Sequence, residues 1–319
     1  METRILGVGD LEISVLGLGT MLFGGVGWLA AFGSTPASEA AELVDIALER
    51  GVNLFDTADI YSDGASETML GEIARGRRQR MLIATKCFGR TGPGVDDVGL
   101  SRRHILDACE ASLRRLGIDC IDLYQVHSFD ALVPLDETLE ALTSLVRAGK
   151  VRAVGCSNHF AWELTRALHL ADSQGYARYV SQQVQYSLLV RETETEILPA
   201  AIAQQVGTIV WGPLAGGYLS GKFQQAGGSG SRIDALGRLG SMDTPRARAV
   251  VARLGEIAAA RSASPSQVAI NWLLARPGVS SVLVGARSAG KLSDNHAAAE
   301  ETLGTDEIAA VNACSAVPA

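Results

Sequence analysis

The chain has 319 residues, 47% hydrophobic and 20% charged, with a formal net charge of −7. That composition is globular and excludes a disordered chain, and its acidity argues against a general nucleic-acid binder, whose domains run basic. No apolar run approaches the ~20 residues of a membrane helix, METRILGVGD is no signal peptide, and five cysteines without C-x-x-C or metal-like spacing suit a reduced, cytoplasmic protein.

Residues 3–15 read as a β-hairpin, TRILG and ISVLG around the turn VGDLE. Eight apolar runs of strand length follow: 15–20 (VLGLGT), 52–56 (VNLFD), 81–86 (MLIATK), 121–127 (IDLYQVH), 151–156 (VRAVGC), 179–184 (YVSQQV), 207–212 (GTIVWG) and 281–285 (SVLVG). Between them lie amphipathic stretches with helix start and stop signals. Ser38 opens SEAAELVDIALERG, which stops at Gly51. Ser101 opens SRRHILDACEASLRRLG, with Ile105, Cys109, Leu113 and Leu116 on one stripe and a stop at Gly117. Asp136 opens DETLEALTSLVRAGK, with Leu139, Leu142, Leu145 and Val146 inward. Further helices are expected near 161–174, 194–206, 246–261, 265–276 and 288–299.

Alternating strands and helices, with strands apolar nearly throughout, point to an α/β fold with a parallel sheet covered by helices. Eight strands suffice to close a barrel, although an open doubly wound sheet satisfies the same count. No linker-like stretch divides 1–319, so one domain is expected. Three segments exceed ordinary loop length, 22–36, 88–100 and 224–244. In a barrel all three fall on the C-terminal face, where such folds carry their active sites.

What ends the strands is the informative feature. Strand two ends in Asp56, with Tyr61 shortly after it, strand three in Lys86 and strand four in His127. Lysine is scarce here, confined to Lys86, Lys150, Lys222 and Lys291, so one at a strand end carries weight. Each residue alone has an ordinary explanation: a capping Asp, a packed Tyr, a solvated Lys, a structural His. Their coincidence on one face of one barrel points to chemistry. An ammonium at ~4 Å stabilises a phenolate by up to about 4 kcal/mol at an effective dielectric of ~20, roughly three pKa units before desolvation. A carboxylate behind the ammonium holds it charged, and an imidazole orients a carbonyl oxygen. The reaction implied is proton donation to a carbonyl as charge develops on it.

A hydride donor then needs a site. GLGTMLFGG does not fit the Rossmann spacing G-x-G-x-x-G. Other candidates follow strands five to eight: GCSN with Ser157 and Asn158, Gln183, Trp211 with GPLAGGYLSGK, and VGARSAGKLSDN, which puts Arg287 and Lys291 at a helix start. Two cations with helix N-terminal amides suit a phosphomonoester.

These motifs carry a resemblance. GLGTM, FDTADIYSDGASE, IATK, IDLYQVH, GCSN, QQVQYSLL, VWGPLAGGYLSGK and VLVGARSAGKLSDN, in that order along nearly the whole chain, resemble the aldo-keto reductase superfamily. The likeness is to the bacterial branch that also resembles voltage-gated potassium channel β subunits. It implies a (β/α)8 TIM barrel behind the N-terminal β-hairpin, NADPH/NADP+ as cofactor and a small-molecule carbonyl substrate. It further implies Asp56, Tyr61, Lys86 and His127 as a catalytic tetrad, with Tyr61 the proton donor. Ser157, Asn158 and Gln183 would hold the nicotinamide carboxamide, with Trp211 stacked on the ring. Gly212, Pro213, Leu214, Ala215 and Gly216, with Lys222 and Arg232, would line the pyrophosphate. Arg287 would take the 2′-phosphate and cover the adenine, with Lys291, Asp294 and Asn295 at the adenosine end. Gly19, Thr20, Met21, Gly285 and Asp56, the last also in the tetrad, complete the expected cofactor residues.

Two positions depart from common family usage: Gly212 where relatives often carry Ser, and Lys291 where many carry Gln. The added charge of Lys291 is expected to strengthen preference for NADPH. Pocket walls are expected from Trp28, Phe32, Phe88, Ser128 and Trp162 around Tyr61 and His127, suiting uncharged aldehydes, ketones or sugar faces. Cys87, beside Lys86, is expected to be partly exposed and oxidisable. The competing function is a nucleotide-sensing regulatory subunit with little turnover. A metal-dependent hydrolase is disfavoured, since the five histidines include no H-x-H after a strand.

Overall fold

Successive side chains on a strand point to opposite faces, so the register of a barrel determines what its interior contains. The computed structural model describes residues 1–27, 30, 34–224, 237 and 239–316. Strands β1 (Thr3–Ile5) and β2 (Glu12–Ser14) form an antiparallel hairpin. Eight parallel strands then close into a barrel: β3 (Leu16–Gly19), β4 (Leu54–Asp56), β5 (Leu82–Cys87), β6 (Ile121–Val126), β7 (Val151–Ser157), β8 (Tyr179–Gln185), β9 (Gly207–Trp211) and β10 (Val279–Val284), with β10 pairing back to β3. This is a (β/α)8 TIM barrel with an N-terminal hairpin, and its closure rules out the open sheet.

The hairpin is the barrel's floor. Leu6, Leu11 and Ile13 pack with Leu54, Ala84, Leu123, Ala153, Val180, Ile209 and Leu283. Arg4 Nη1 donates to Val279 O at 2.7 Å, at the start of β10. Gly7 (φ +59) lies so close that a Cβ there would stand 2.2 Å from Val180 O. Each buried Leu, Ile or Val of this floor contributes roughly 1.5–3 kcal/mol. Two residues further along the same faces come Asp56, Lys86, Gln125, Trp211 and Gly285. An apolar floor thus carries a polar layer at the mouth. Phe55, Ile83, Cys87, Tyr124, Val126, Val210 and Val282 belong to the second core, between barrel and helices. Cys87 is therefore fully buried, and burial pushes its thiol well above the ordinary range, against the expectation of an exposed, oxidisable group.

The surrounding helices are α1 (Ala37–Glu49), α2 (Ala65–Ala74), α3 (Arg102–Leu116), α4 (Leu135–Arg147), α5 (Ala161–Gln174), α6 (Ile197–Ala203), α7 (Pro245–Ala260), α8 (Pro265–Leu274), α9 (Ala289–Ala297) and α10 (Thr305–Ser315). Ser101 caps α3 by accepting from His104 N at 3.2 Å, and Gly117 ends it at φ 64. The starts of α1 and α4 differ from expectation. Pro36 and Pro134 hold the cap positions, while Ser38 and Asp136 lie within the first turn. Proline fixes the entry angle there without a side-chain cap. Helices α2 and α10 are additions to the sequence reading. Among the described residues no helix is long and apolar enough to cross a membrane.

Two buried histidines make stability pH-dependent. His296 and His159 are each 1% exposed, and burial pushes the pKa of both down to about 4. Unfolded, they protonate near 6.5, so their stabilisation is present above about pH 6.5 and is lost as pH falls toward 4. The calorimetric midpoint should therefore drop by roughly 5 °C between pH 7 and pH 5, with His127, pushed down to about 3, adding to the loss and Asp59, pushed up to about 8, offsetting that addition. An unchanged midpoint would contradict this account.

Candidate active site

Three strand ends and one turn converge above the apolar floor. Lys86 Nζ, fully buried, donates to Asp56 Oδ1 at 2.5 Å and to Thr57 O at 2.8 Å, and lies 3.5 Å from Tyr61 Oη. Burial pulls the Lys86 pKa down, but Asp56 and Tyr61 together outweigh it and hold the ammonium above the ordinary lysine value. The other carboxylate oxygen, Asp56 Oδ2, accepts from Gln183 Nε2 at 2.8 Å and Gln125 Nε2 at 3.3 Å.

His127 follows β6 directly, its amide donating to Cys87 O at 2.9 Å. Its ring meets Tyr61 edge-on, centroids 6.0 Å apart, and Nδ1 is buried with no partner among the described residues. Burial, followed by the nearby Lys86 charge, pushes His127 down to about 3, so the imidazole is neutral at ordinary pH.

Tyr61 is delivered by a strained turn. Ser62 (φ 52), Asp63 (φ 54) and Gly64 (φ 89) run left-handed in succession. Each non-glycine residue in that conformation costs about 1–2 kcal/mol. Neighbouring structure holds the strain. Thr57 N bonds Ala84 O at 2.9 Å and Asp59 N bonds Lys86 O at 3.2 Å. Gly24 packs against the turn from the segment after β3, where a Cβ would stand 2.9 Å from Ala65 Cβ. Behind it, Ser66 Oγ lies between Thr20 Oγ1 at 2.9 Å and Thr57 Oγ1 at 3.0 Å. Buried Glu67 accepts from Thr85 Oγ1 and Arg115 Nε, each at 2.6 Å.

Beyond Trp211 a cleft of about 380 Å³ opens at the ends of β9 and β10, lined by Gly212, Pro213, Leu214, Gly216, Lys222, Gly285, Arg287, Lys291, Asp294 and Asn295. Ala215 is buried behind it, and Met21 is half-buried in the turn after β3. Gly19 borders the cleft, since a Cβ on Gly285 would stand 3.4 Å from Gly19 O. Gly212 (φ 68), Gly216 (φ 67) and Gly217 (φ 95) give its loop a left-handed course.

Several expected ligand residues are engaged with the protein itself. Thr20 Oγ1 donates to Asp56 O at 3.1 Å and Ser157 Oγ to Gln183 O at 2.9 Å. Asp294 accepts from Ser264 Oγ at 2.8 Å and Gln267 Nε2 at 2.7 Å, bracing the start of α8. Asn158 links the two halves of the mouth: Nδ2 donates to His127 O at 3.0 Å and Oδ1 accepts from Trp211 Nε1 at 3.0 Å. Phe88 and Ser128 are half-buried near the cluster, and Trp162 is 55% exposed, edge-on to Phe129. Trp28, Phe32 and Arg232, with most of 224–244, lie outside the described residues. Gln125 is the residue that the sequence reading passed over.

Comparison with known proteins follows the same pattern. Residues 15–316 match the Aldo/keto reductase family. An uncharacterized oxidoreductase of Bacillus subtilis is 34% identical over 98% of this chain and 95% of its own. A putative voltage-gated potassium channel subunit beta of Schizosaccharomyces pombe is also 34% identical, over 93% and 88%. Versiconal hemiacetal acetate reductase of Aspergillus parasiticus is 32% identical over 97% and 95%. With this fold, this mouth and these relatives, the chain belongs to the aldo/keto reductase family.

Proposed function

We propose that the protein is an NADPH-dependent reductase of aldehydes, ketones or keto sugars, with Tyr61 as the general acid. The carrying observation is the buried Lys86 ammonium, held by Asp56 at 2.5 Å and placed 3.5 Å from the Tyr61 hydroxyl. Tyr61 gives its proton to the carbonyl oxygen, and Lys86 stabilises the phenolate left behind. Asp56 keeps Lys86 charged. His127, neutral, orients the oxygen without competing as an acid.

The cleft fits a phosphorylated dinucleotide. Lys222, Arg287 and Lys291 supply cationic donors along its lining, and left-handed glycines keep side chains off the loop facing it. Arg287 and Lys291 would hold the 2′-phosphate, Asn295 the adenosine end, Gly212 to Gly216 and Lys222 the pyrophosphate, and Asn158, Gln183 and Trp211 the nicotinamide. When bound, NADPH supplies the hydride.

NADPH consumption across a panel of carbonyl substrates, including a nitrobenzaldehyde, tests the reading. Turnover is the expected result. Micromolar NADPH binding without turnover would favour the second reading, a nucleotide-binding regulatory protein, which the similarity to the fission yeast relative supports. Lys291→Gln should narrow the preference for NADPH over NADH, read as the ratio of kcat/KM values. An unchanged ratio would remove Lys291 from cofactor choice.

A further inference from the structure

Asp56 is held by two carboxamides, and they are not equivalent. Gln183 lies near the end of β8, in register with Ser157. Gln125 lies deeper, fully buried on β6 and in register with Lys86, one step above Leu123 of the floor. Its side chain meets Asp56 and Gln183 and is fully buried. We propose that Gln125 is a positioning residue for Tyr61: by donating to Asp56 Oδ2 it keeps Oδ1 on Lys86 Nζ, and so keeps the ammonium on the phenol. This rests on the reductase reading above.

A buried carboxylate held at one oxygen turns about its last torsion, and holding both oxygens fixes it. Here Oδ1 takes the ammonium, and Oδ2 takes Gln183 at 2.8 Å and Gln125 at 3.3 Å. Gln183 Nε2 also lies 3.5 Å from Gln125 Oε1, so the two amides brace each other. The neighbouring strand leaves room for this arrangement at Gly155, where a Cβ would stand 3.3 Å from Gln125 Cγ and 2.2 Å from Ser181 Oγ. If a cofactor carboxamide engages Gln183, Gln125 is the donor that stays. The titratable groups around Asp56 are Lys86 on β5, Tyr61 and Asp59 after β4, and His127 after β6. Asp59, 2% exposed, is pushed up to about 8, first by burial and then by Glu67. Asp56 is the carboxylate in direct contact with the Lys86 ammonium, and its orientation matters accordingly.

Two variants test this. Gln125→Met keeps the length without a donor, and Gln125→Glu donates to Asp56 only while protonated. Gln125→Met should lower kcat about tenfold, the loss of one hydrogen bond to a charged group, with the NADPH KM unchanged and the alkaline limb of kcat moved to higher pH. Gln125→Glu should keep activity at low pH and lose it steeply as pH rises. Because the chain has only Lys86, Lys150, Lys222 and Lys291, lysine 13Cε labelling resolves Lys86, whose signal should move in Gln125→Met while the others stay. A wild-type pH profile in Gln125→Met overturns the proposal. So does an equal loss in both variants at every pH with the Lys86 signal unmoved, the mark of a merely structural role. If the wild type reduces no carbonyl, the reductase reading fails, and the lysine spectra alone decide whether Gln125 acts through the Asp56–Lys86 pair.

Discussion

Tyr61→Phe should lower kcat for carbonyl reduction by about 10²–10⁴-fold, the range for losing a general acid, and leave NADPH affinity nearly unchanged. The change removes one hydroxyl. The ring stays against His127, and Lys86 keeps Asp56 and Thr57 O as partners, so no buried charge is stranded. Tyr61 is not among the residues that line the cleft at the ends of β9 and β10. His127 cannot take over as the acid, because with a pKa near 3 it has already lost its second proton at neutral pH. Steady-state NADPH oxidation gives kcat, and quenching of tryptophan fluorescence gives NADPH affinity independently, with Trp211 at the cleft's edge. A loss smaller than tenfold, or a matching loss of NADPH affinity, would remove Tyr61 from the acid's role.

Asp56, Lys86 and His127 are legible because each is an ionisable residue closing an apolar run, and strand ends gather at a barrel mouth. Gln125 is not, being uncharged and inside IDLYQVH. Its inward direction follows from the period-two step between Leu123 and His127, but its partner Gln183 lies 58 residues away. The web behind the Tyr61 turn is hidden for the same reason: Thr20 meets Ser66 across 46 residues and Glu67 meets Arg115 across 48. Helix starts are misread where two signals compete. Ser38 and Asp136 are good caps by type, yet the prolines just before them set the turn. Ser157 and Asn158 show a further limit. Their amide-recognising chemistry is visible in GCSN, but not that the protein uses it on Gln183, His127 and Trp211. Residue type reports what a group can bind, and packing determines which partner it meets.

Lys86→Met separates the two roles of the buried pair. Removing the ammonium leaves Asp56, 3% exposed, with its two carboxamide donors among the described residues, and an uncompensated buried charge costs about 3–5 kcal/mol. The calorimetric midpoint should fall by roughly 6 °C, and turnover should nearly vanish, since the phenol loses the charge that stabilises its conjugate base. Asp56→Asn combined with Lys86→Met should recover most of that stability, because a neutral amide in the same place needs no ammonium. It should recover no turnover. Measured against wild type at the same pH, lower pH should likewise restore part of the single variant's stability by protonating the stranded carboxyl, and should leave the difference between the double variant and wild type unchanged. If Lys86→Met were as stable as wild type, the pair would not be the desolvated unit described here. If the double variant regained activity along with stability, the loss in Lys86→Met would be one of folding. The expected split, stability returning without chemistry, follows because replacing a buried ion pair as a unit costs little while removing one partner strands the other, and because the proposed acid depends on the ammonium itself.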